Sequence, residues 1–427
     1  MKFGLIYEMN TPLPHTGAQE YRIYWEALEQ ICLAEDVGFD YAWEVEHHFL
    51  TEYSHSSAPE VFLGALTQRT RKIRIGQGIA QLPYRFNHPA KVAERAAVFD
   101  ILSNGRFDLG TGRSITEAEL GGFEINPAES KAQWEEFISL IPKMWKSTEK
   151  EPFSYKGKFL DMPPRNVLPK PIQSPHPPLW TAATQPLTFR QAGERGLGVL
   201  CFGFNAAVEL GEQCQVYYEA LKNPTLQVGD FVNANLAATA PFFCHSDRRR
   251  ARLLGAPASA YFSLKALQLF TPWYGKDVPG YEYYTNMAKR GLSDFSVGRD
   301  GKPRDMDRLV EEGTVLIGTP DEIGEAIEKY EQAGVTQMVF LVQMGQLAHR
   351  DILASLELFG KEVIPHFRAR GHKIPYGFKE FETRVNFPTK TFGEHGLAAH
   401  LGDPGKPKGE AKHSPDLADH PFVGVGK

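Results

Sequence analysis

The sequence predicts an α/β protein whose parallel strands close into a (β/α)8 barrel, and three observations support this fold class. Short apolar segments rich in β-forming residues alternate with longer segments whose apolar residues recur at helical spacing. Such alternation is typical of a parallel sheet covered by helices, and eight repeats suit a closed barrel. The first strand runs into "YEMNTPLPHTG", and no G-x-G-x-x-G follows it, whereas an open doubly wound sheet usually carries a glycine-rich turn there.

Eight segments carry the strand pattern, and each is followed by a helix or an insertion. The predicted strands are residues 2–7, 40–45, 73–79, 106–112, 178–184, 197–203, 232–245 and 335–342. The predicted helices are 20–38, 58–70, 88–105, 132–146, 186–196, 319–334 and 350–367, and a hairpin is expected over 152–162. Pro59 and Pro89 fall in the first turns of two helices, where proline is well tolerated. Thr319 and Glu322 form the pattern of a capping box.

Two stretches depart from this rhythm. Residues 246–312 contain aromatic, glycine and charged residues without a clear βα period, so we expect an insertion before the last βα unit. The barrel is therefore predicted over residues 1–370. Residues 371–427 form a C-terminal extension that we expect to be partly draped on the barrel and partly disordered, because its end is rich in Gly, Pro, Lys and Asp. The aromatic residues of 376–387 suit a strap against the barrel.

Composition excludes several classes of function. The net charge of −5 over 427 residues is mild, and no basic run predicts a nucleic-acid interface. No apolar run of about 18 residues predicts a membrane span, and the N-terminus lacks a secretory signal. Cys32, Cys201, Cys214 and Cys244 are scattered, which predicts reduced thiols in the cytoplasm, with neither a zinc site nor disulfides.

The carboxyl ends of barrel strands meet at one rim, where the active site of such a fold lies. The second strand ends in "EVEHH", so His47 and His48 lie at this rim. Because side chains alternate along a strand, the two rings project in opposite directions and cannot easily share a metal ion. One ring is expected to face the barrel mouth as a proton carrier. The alternative is two hydrogen-bonded histidines without chemistry.

A phosphate site is predicted on the same rim. Arg113 follows the glycine-rich end of the fourth strand, where a guanidinium can hold a phosphate by two parallel hydrogen bonds. Thr184, Gln185 and Thr188 surround the start of the helix after the fifth strand, and a helix N-terminus attracts anions. Taken singly, these residues also fit a salt-bridged loop arginine and a plain helix cap. Together they suit a flat, phosphate-bearing cofactor such as FMN.

Several segments resemble the bacterial luciferase-like flavin monooxygenases. They are "MKFGLIYE", "EHHF", "IRIGQGIAQLPYRFNHPAKVAERAAVFDILSNGRFDLGTGR" and the ending "VLIGTPDEIGEAIEKYEQAGVTQMVFLVQMG…ILASLELFGKEVIPHF". The resemblance covers about residues 1–205 and 313–368. The luciferase α subunit has a cysteine where this chain has Gly112, and light emission is therefore not implied. The turn "ATQPLT" also departs from the family's usual acidic or serine-rich phosphate turn.

The resemblance implies a homodimeric or larger barrel enzyme that receives reduced FMN from a separate NAD(P)H-dependent flavin reductase. Oxygen would form a flavin C4a-(hydro)peroxide, which would oxidise a small apolar organic substrate. The resemblance assigns His47 as the catalytic base and His48 as its supporting neighbour. It assigns cofactor contacts to Gln77 and Gly78 at the ring system, and to Arg113, Thr184, Gln185 and Thr188 at the phosphate.

Two other functions remain open at this point. Relatives of the same superfamily use the deazaflavin F420 for hydride transfer without oxygen, although the EHHF pair favours the oxygen-using branch. A non-catalytic flavin-binding partner subunit is the second alternative, against which the presence of both His47 and Arg113 argues. In the insertion, aromatic residues either line an apolar substrate pocket or pack in the ordinary way: Phe262, Phe270, Trp273 and Tyr274.

Overall fold

Eight parallel strands close into a barrel in the computed structural model, which describes residues 1–202, 206–290 and 305–385. The strands are β1 (Lys2–Tyr7), β2 (Tyr41–Glu44), β3 (Arg74–Gln81), β4 (Phe107–Gly112), β5 (Phe153–Lys156), β6 (Asp161–Arg165), β7 (Gln173–Ser174), β8 (Leu179–Ala183), β9 (Gly198–Cys201), β10 (Leu236–Cys244), β11 (Leu316–Gly318), β12 (Gln337–Leu341) and β13 (Arg384–Val385). The order around the barrel is β1-β2-β3-β4-β8-β9-β10-β12, and β12 pairs with β1. This arrangement confirms the predicted fold class.

Closure depends on β10, which pairs with a strand on each side. Ala237 lies opposite Leu200 of β9 and opposite Gln337 of β12, so the parallel ladder has no gap at this point. The end of β10 carries the short strand β11, since Phe242 pairs with Leu316. All eight predicted strands are the strands of the barrel, and β5 and β6 form the predicted hairpin. The three-residue strand β11 was not predicted.

Helices connect the strands on the outside of the barrel. They are α1 (Gly17–Asp36), α2 (Pro59–Arg69), α3 (Pro89–Leu102), α4 (Glu117–Gly122), α5 (Pro127–Ile138), α6 (Ile141–Lys146), α7 (Pro186–Glu194), α8 (Ala207–Leu221), α9 (Arg248–Gln268), α10 (Glu282–Arg290), α11 (Met306–Glu311), α12 (Pro320–Ala333), α13 (His349–Glu362) and α14 (Ile364–Ala369). Short 3-10 helices span Thr271–Trp273 and Pro375–Gly377. The capping box at Thr319 and Glu322 is present at the start of α12.

The expectation that residues 246–312 lack a βα period is wrong at the start of this stretch. The 21-residue helix α9 begins four residues after β10 ends, so the βα rhythm continues there. Most of the residues that α9 buries are small, and Pro257 lies inside the helix. The sequence of α9 therefore lacks the stripe of large apolar residues from which a helix is usually predicted. The buried set is Ala251, Gly255, Ala258, Ser259, Phe262 and Ala266.

Large aromatic side chains fill the barrel interior. Trp43 stacks on Tyr41 with ring centroids 5.7 Å apart and meets the edge of Trp180 at 5.2 Å. The indole N–H of Trp180 donates to buried Asp108 at 2.8 Å, so the polar atom of this ring is satisfied. Gly76 makes room for this packing, because a Cβ there would lie 2.1 Å from Trp43 Cε3. The barrel interior is thus a packed core, and the ligand space of such a fold lies at a rim.

Residues after α14 contact the barrel through aromatic side chains. Tyr376 lies 5.1 Å from Tyr218 of α8, and Phe381 lies 5.5 Å from Phe231, measured between ring centroids. The hydroxyl of Thr383 donates to the side-chain oxygen of Gln173 at 2.7 Å. Residues 386–427 lie outside the described part of the chain, and the division at residue 370 stays a prediction. Among the helices of the described ranges, none combines the length and the apolar character that crossing a membrane requires.

The packing at Gly76 generates the first prediction. The substitution Gly76→Ala should lower the free energy of unfolding by about 1–3 kcal/mol, because the added methyl group overlaps the Trp43 ring and forces the strand or the ring to shift. The matched control is Gly64→Ala within α2, where nothing lies within 4 Å of the added Cβ. That change should be neutral or stabilising by up to about 1 kcal/mol, since alanine favours the helix. Thermal and urea unfolding would measure the free energy of unfolding of both variants. An equal change in the two variants would contradict the packing argument.

Candidate active site

The carboxyl ends of the barrel strands surround a single cleft of about 1220 Å³, a volume that includes the part open to solvent. Six strands contribute lining residues in or just after them: Glu8 follows β1, His47 follows β2, Gly78 lies in β3, Arg113 follows β4, Thr184 follows β8 and Phe202 follows β9. This is the rim at which the sequence places the chemistry. One cleft therefore joins the predicted proton carrier with the predicted phosphate residues.

His47 lines the cleft and is held between two buried carboxyl groups. Its Nδ1 lies 2.8 Å from Oε1 of Glu119, which comes from α4, and its Nε2 lies 3.6 Å from Oε2 of Glu8. The ring of Tyr53 meets the imidazole edge at 5.6 Å. The carboxylate at Nδ1 orients the ring and favours a proton on both nitrogens.

Glu119 is fully buried and is the centre of a hydrogen-bond network. Its Oε2 accepts from the hydroxyls of Ser114 at 2.7 Å and Thr116 at 2.5 Å. Its Oε1 accepts from the side-chain amide of Gln81 at 2.9 Å and from the backbone N–H of His48 at 3.0 Å. Four donors besides the imidazole satisfy both oxygens of an ionised carboxylate, and a neutral acid would leave some of them unpaired.

The pKa values of His47 and Glu119 are shifted more by their opposite charges than by burial. Burial alone lowers the pKa of His47, but the Glu119 and Glu8 carboxyl groups raise it to about 9. Burial alone raises the pKa of Glu119, but the His47 charge and the hydrogen bonds lower it to about 2. These two shifts favour an imidazolium–carboxylate pair at neutral pH. The raised pKa favours the protonated imidazole at neutral pH, a form that can donate a proton.

His48 points away from the cleft and packs in an aromatic cluster. Its ring stacks on Phe86 with centroids 6.1 Å apart and meets the edge of Phe123 at 4.8 Å. Its Nε2 lies 3.4 Å from Oε1 of Glu46. The opposite directions of the two rings agree with the alternation argued from the sequence. Within the described ranges, no group of His, Cys, Asp or Glu side chains is arranged to hold a metal ion.

The four residues predicted to bind phosphate all line the cleft, and Lys131 of α5 joins them. Gln185 precedes Pro186 at the start of α7, and no side chain caps the amides of this helix end. The positive end of the α7 dipole and the two cationic side chains suit an anion, and the Glu282 carboxylate lines the same cleft. The predicted set is Arg113, Thr184, Gln185 and Thr188.

The segment that follows α9 covers this end of the cleft. Arg113 donates to the backbone oxygen of Gly280 at 2.6 Å, and its guanidinium lies 4.4 Å from the centroid of the Tyr281 ring. The hydroxyl groups of Thr184 and Tyr284 lie 2.8 Å apart. Of the aromatic residues singled out in the insertion, none lines the cleft; Phe262, Phe270 and Trp273 are buried in ordinary packing and Tyr274 is exposed.

Gln77 and Gly78 differ in their positions. Gly78 lines the cleft, in the part of β3 where the register to β4 shifts, and its peptide bond to Ile79 is cis. Gln77 is buried and does not line the cleft. A Cβ at Gly110 would lie 2.5 Å from the Gln77 backbone oxygen, so glycine at position 110 serves the contact between strands.

Sequence reasoning missed five charged residues of the cleft region: Glu8, Glu46, Glu119, Lys131 and Glu282. Glu8 directly follows the first strand, so the rule that strand ends carry the chemistry would have found it. Glu119 and Lys131 lie on helices after β4, and the sequence offers no signal that either side chain reaches the barrel mouth.

Comparisons with known proteins agree with this geometry. The family model of luciferase-like monooxygenases matches residues 1–337. The oxygenase component of flavin-dependent trigonelline monooxygenase from Acinetobacter baylyi is 24% identical over 383 residues, which cover 86% of this chain and 96% of that protein. An F420-dependent glucose-6-phosphate dehydrogenase from Segniliparus rotundus is 25% identical over 352 residues, which cover 81% of this chain and 94% of that protein.

A solved structure supports the fold. The oxygenating constituent of 3,6-diketocamphane monooxygenase from Pseudomonas putida, in complex with FMN, has a TM-score of 0.69 to this chain at 21% identity. The superposition covers 88% of this chain and 99% of that one.

The contact between His47 and Glu119 generates the second prediction. Glu119→Gln should lower the pKa of His47 from about 9 toward or below its ordinary value of 6.5, because burial then acts without the charge that offsets it. Because the folded pKa of His47 is raised, its stabilising contribution is present below about pH 6.5 and is lost as pH rises through 9. In Glu119→Gln, the free energy of unfolding should therefore not fall over this pH range on account of His47.

The matched control is Glu117→Gln, which removes a half-buried carboxylate two residues away on α4 that pairs with Lys276 and not with His47. Titration of the His47 ring by ¹⁵N NMR, together with unfolding midpoints from pH 6 to 10, measures both effects. An unchanged His47 pKa in Glu119→Gln would show that the pair is not the cause of the shift.

Proposed function

The chain belongs to the luciferase-like monooxygenase family, and from this premise we propose that it is the oxygenase of a two-component system that uses reduced FMN and oxygen to oxidise a small apolar organic substrate. The prediction that the chain is an enzyme of this family is confirmed by the match over residues 1–337. The cofactor, the reductase and the substrate class belong to the proposal.

One observation carries the proposal: a single cleft joins an anion-binding end to a charged imidazole. A flat phosphate-bearing molecule requires both a phosphate site and an open surface leading from it. Arg113, Lys131 and the start of α7 supply the phosphate site, and two glycines, Gly78 and Gly112, leave open surface elsewhere in the lining of the cleft. His47 on the same cleft supplies the proton chemistry.

Different residues would bind the cofactor and transfer the proton. Arg113 and Lys131 would hold the phosphate of FMN, with Thr184 and Thr188 as hydroxyl donors. When bound, reduced FMN supplies the electrons with which oxygen is activated. His47 holds a proton at Nε2 facing the cleft and gives it to an oxygen atom there, while the Glu119 carboxylate keeps the ring oriented.

Apolar side chains of the cleft favour a neutral, apolar substrate and keep water away from the reacting atoms. The apolar lining residues are Val45, Ile79, Ile115, Leu187, Phe202 and Leu269. Exclusion of water matters because reactive oxygen species bound in such a site decay when water enters. Leu269 lies at the end of α9 and belongs to this apolar lining. The segment after the seventh barrel strand, β10, therefore takes part in covering the cleft.

The partner and the compartment follow from the same proposal. The printed name of the trigonelline relative, an oxygenase component, supports a separate NAD(P)H-dependent flavin reductase as the source of reduced FMN. We place the enzyme in the cytoplasm as a homodimer or larger homo-oligomer. Four free cysteines, three of them buried, agree with a reducing compartment: Cys32, Cys201, Cys214 and Cys244.

The cofactor test is a competition between FMN and F420. We expect tight binding of reduced FMN, and oxygen uptake that is coupled to product when terpenes, cyclic ketones or long-chain aldehydes are supplied with a flavin reductase. F420-dependent relatives make F420 the second candidate. Binding of F420 with no oxygen uptake would favour hydride transfer and would overturn the monooxygenase proposal.

The role of His47 is tested by His47→Gln. Coupled product formation should fall at least about 100-fold, because proton transfer by a positioned side chain contributes about 10²–10⁴-fold. Exposed His366 on α14 provides the control variant His366→Gln, which should retain full turnover. Equal product yield from His47→Gln and the wild-type enzyme would refute the role.

The phosphate site is tested by Arg113→Ala. Loss of a charge-assisted contact worth about 1.5–3 kcal/mol should weaken FMN binding about 10- to 100-fold and leave riboflavin, which has no phosphate, nearly unaffected. Arg190→Ala, on the exposed side of α7, is the control. Flavin fluorescence quenching measures the affinities of the wild type and both variants for FMN and for riboflavin, and an equal loss for the two flavins in Arg113→Ala would contradict a phosphate contact.

A further inference from the structure

A turn in the segment after α9 lies directly over the anion-binding end of the cleft. The backbone oxygen of Gly280 accepts a hydrogen bond from Nη2 of Arg113 at 2.6 Å. The backbone N–H of Gly280 donates to Oε1 of Glu282 at 2.9 Å. Gly280 has a φ of 82°, which glycine adopts without strain, and both Gly280 and Glu282 line the cleft. One residue therefore contacts the predicted phosphate arginine through its oxygen and a carboxylate through its nitrogen.

These two contacts limit the distance between the charges of Glu282 and Arg113. Because the N and O atoms of one residue are less than about 4 Å apart, the carboxylate lies within about 10 Å of the guanidinium. Charges at this separation still interact at about 0.1 M salt. The Gly280 N–H lowers the pKa of Glu282, and the charges of Arg113 and Lys131 lower it further. Glu282 is therefore ionised at neutral pH.

Buried aromatic residues hold this turn against the segment that follows β4. Nε1 of Trp273 donates to the backbone oxygen of Ile115 at 2.9 Å. The hydroxyl of Tyr281 donates to the backbone oxygen of Ser114 at 3.0 Å. The Tyr281 ring stacks on Trp273 with centroids 4.4 Å apart, and both residues are fully buried. Since Tyr281 directly precedes Glu282, these contacts fix where the carboxylate enters the cleft.

Glu282 differs from the other carboxyl groups that line the cleft. Glu8 and Glu46 are buried and act on the charge of His47. Glu282 is exposed to solvent and interacts with Arg113 and Lys131. An anion that binds these two cations therefore meets one negative charge in the same part of the cleft.

We propose that Glu282 is a specificity-determining residue that weakens the hold of the cleft on the phosphate of FMN. This inference rests on the proposed function, because it concerns the same phosphate site. A phosphate monoester carries a charge of about −1.5 to −2 at pH 7, so Arg113 and Lys131 attract it and Glu282 repels it. Weaker binding lets the flavin leave after each turnover, as an enzyme that receives reduced FMN from a separate reductase requires.

The test changes the charge of Glu282 in two steps. Glu282→Gln keeps a side-chain oxygen that can accept from the Gly280 N–H but carries no charge, and Glu282→Lys reverses the charge. Fluorescence quenching measures the Kd values of oxidised FMN and of riboflavin at neutral pH and low salt. FMN should bind Glu282→Gln about twofold to fivefold more tightly than the wild type, as expected for one charge at this distance near a protein surface. Glu282→Lys should bind FMN more tightly still, and the affinity for riboflavin, which has no phosphate, should not change.

Salt separates an electrostatic effect from a change in structure. At about 1 M salt the Debye length is only about 3 Å, so the FMN affinities of the wild type and of Glu282→Gln should converge. The rate at which FMN dissociates, measured by stopped flow at low salt, should be lower for Glu282→Gln than for the wild type, because the bound phosphate is no longer repelled. An unchanged dissociation rate would contradict a role in flavin release.

The matched control is Asp277→Asn. Asp277 is an exposed carboxylate of the same segment, five residues before Glu282, and it is not among the residues that line the cleft. Its removal changes the net charge of the protein by the same amount as Glu282→Gln. Asp277→Asn should therefore bind FMN and riboflavin as the wild type does. Thermal unfolding of each variant verifies that it is folded.

The outcomes separate this inference from the proposed function. Equal FMN affinity of the wild type and both Glu282 variants at low salt would overturn the inference, and so would equal gains for FMN and riboflavin or a gain that persists at high salt. If Arg113→Ala weakens FMN but not riboflavin while the Glu282 variants change neither, the phosphate site stands and only this inference fails. Equal binding of the two flavins by the wild type and by Arg113→Ala would refute the phosphate site, and the inference with it.

Discussion

The ion pair between His47 and Glu119 is the interaction on which the cleft depends. The Glu119 carboxylate accepts hydrogen bonds from the loop after β2 through His48, from the end of β3 through Gln81 and from the loop after β4 through Ser114. One buried charge thereby ties three segments of the rim together. The same charge keeps His47 protonated, so that the group that shapes the site also sets its chemistry.

The packed barrel beneath this pair explains why the cleft opens where it does. Tyr41, Trp43 and Trp180 fill the interior, and Gly76 leaves the space that Trp43 occupies. The cleft therefore lies at the strand ends, where a fold of this kind carries its functional residues. The two ends of the cleft differ in character. Arg113 and Lys131 contribute positive charge near Glu282 in one part of the cleft, and carboxyl groups surround the imidazole in another.

The fold could be predicted to a large extent because its evidence is local. Each barrel strand has its own run of apolar residues, and each is separated from the next by a helix or an insertion, so eight strands could be counted from the sequence. The departures have equally local causes. The helix α9 buries mostly small residues and carries no clear apolar stripe, and β11 is only three residues long. The site was predictable wherever a residue follows a strand, as with His47, Arg113 and Thr184.

The sequence by itself determined the barrel, the rim and the residue types that reach the rim, because strand order and alternation follow from short-range pattern. The tertiary structure alone decided which groups meet. Glu119 lies 72 residues from His47 along the chain, and Gly280 lies 167 residues from Arg113, yet each pair is in direct contact. Such contacts depend on how helices and loops return to the barrel mouth. The periodicity of the sequence does not predict where these segments come together. The protonation of His47 and the position of the Glu282 charge near Arg113 follow from those contacts.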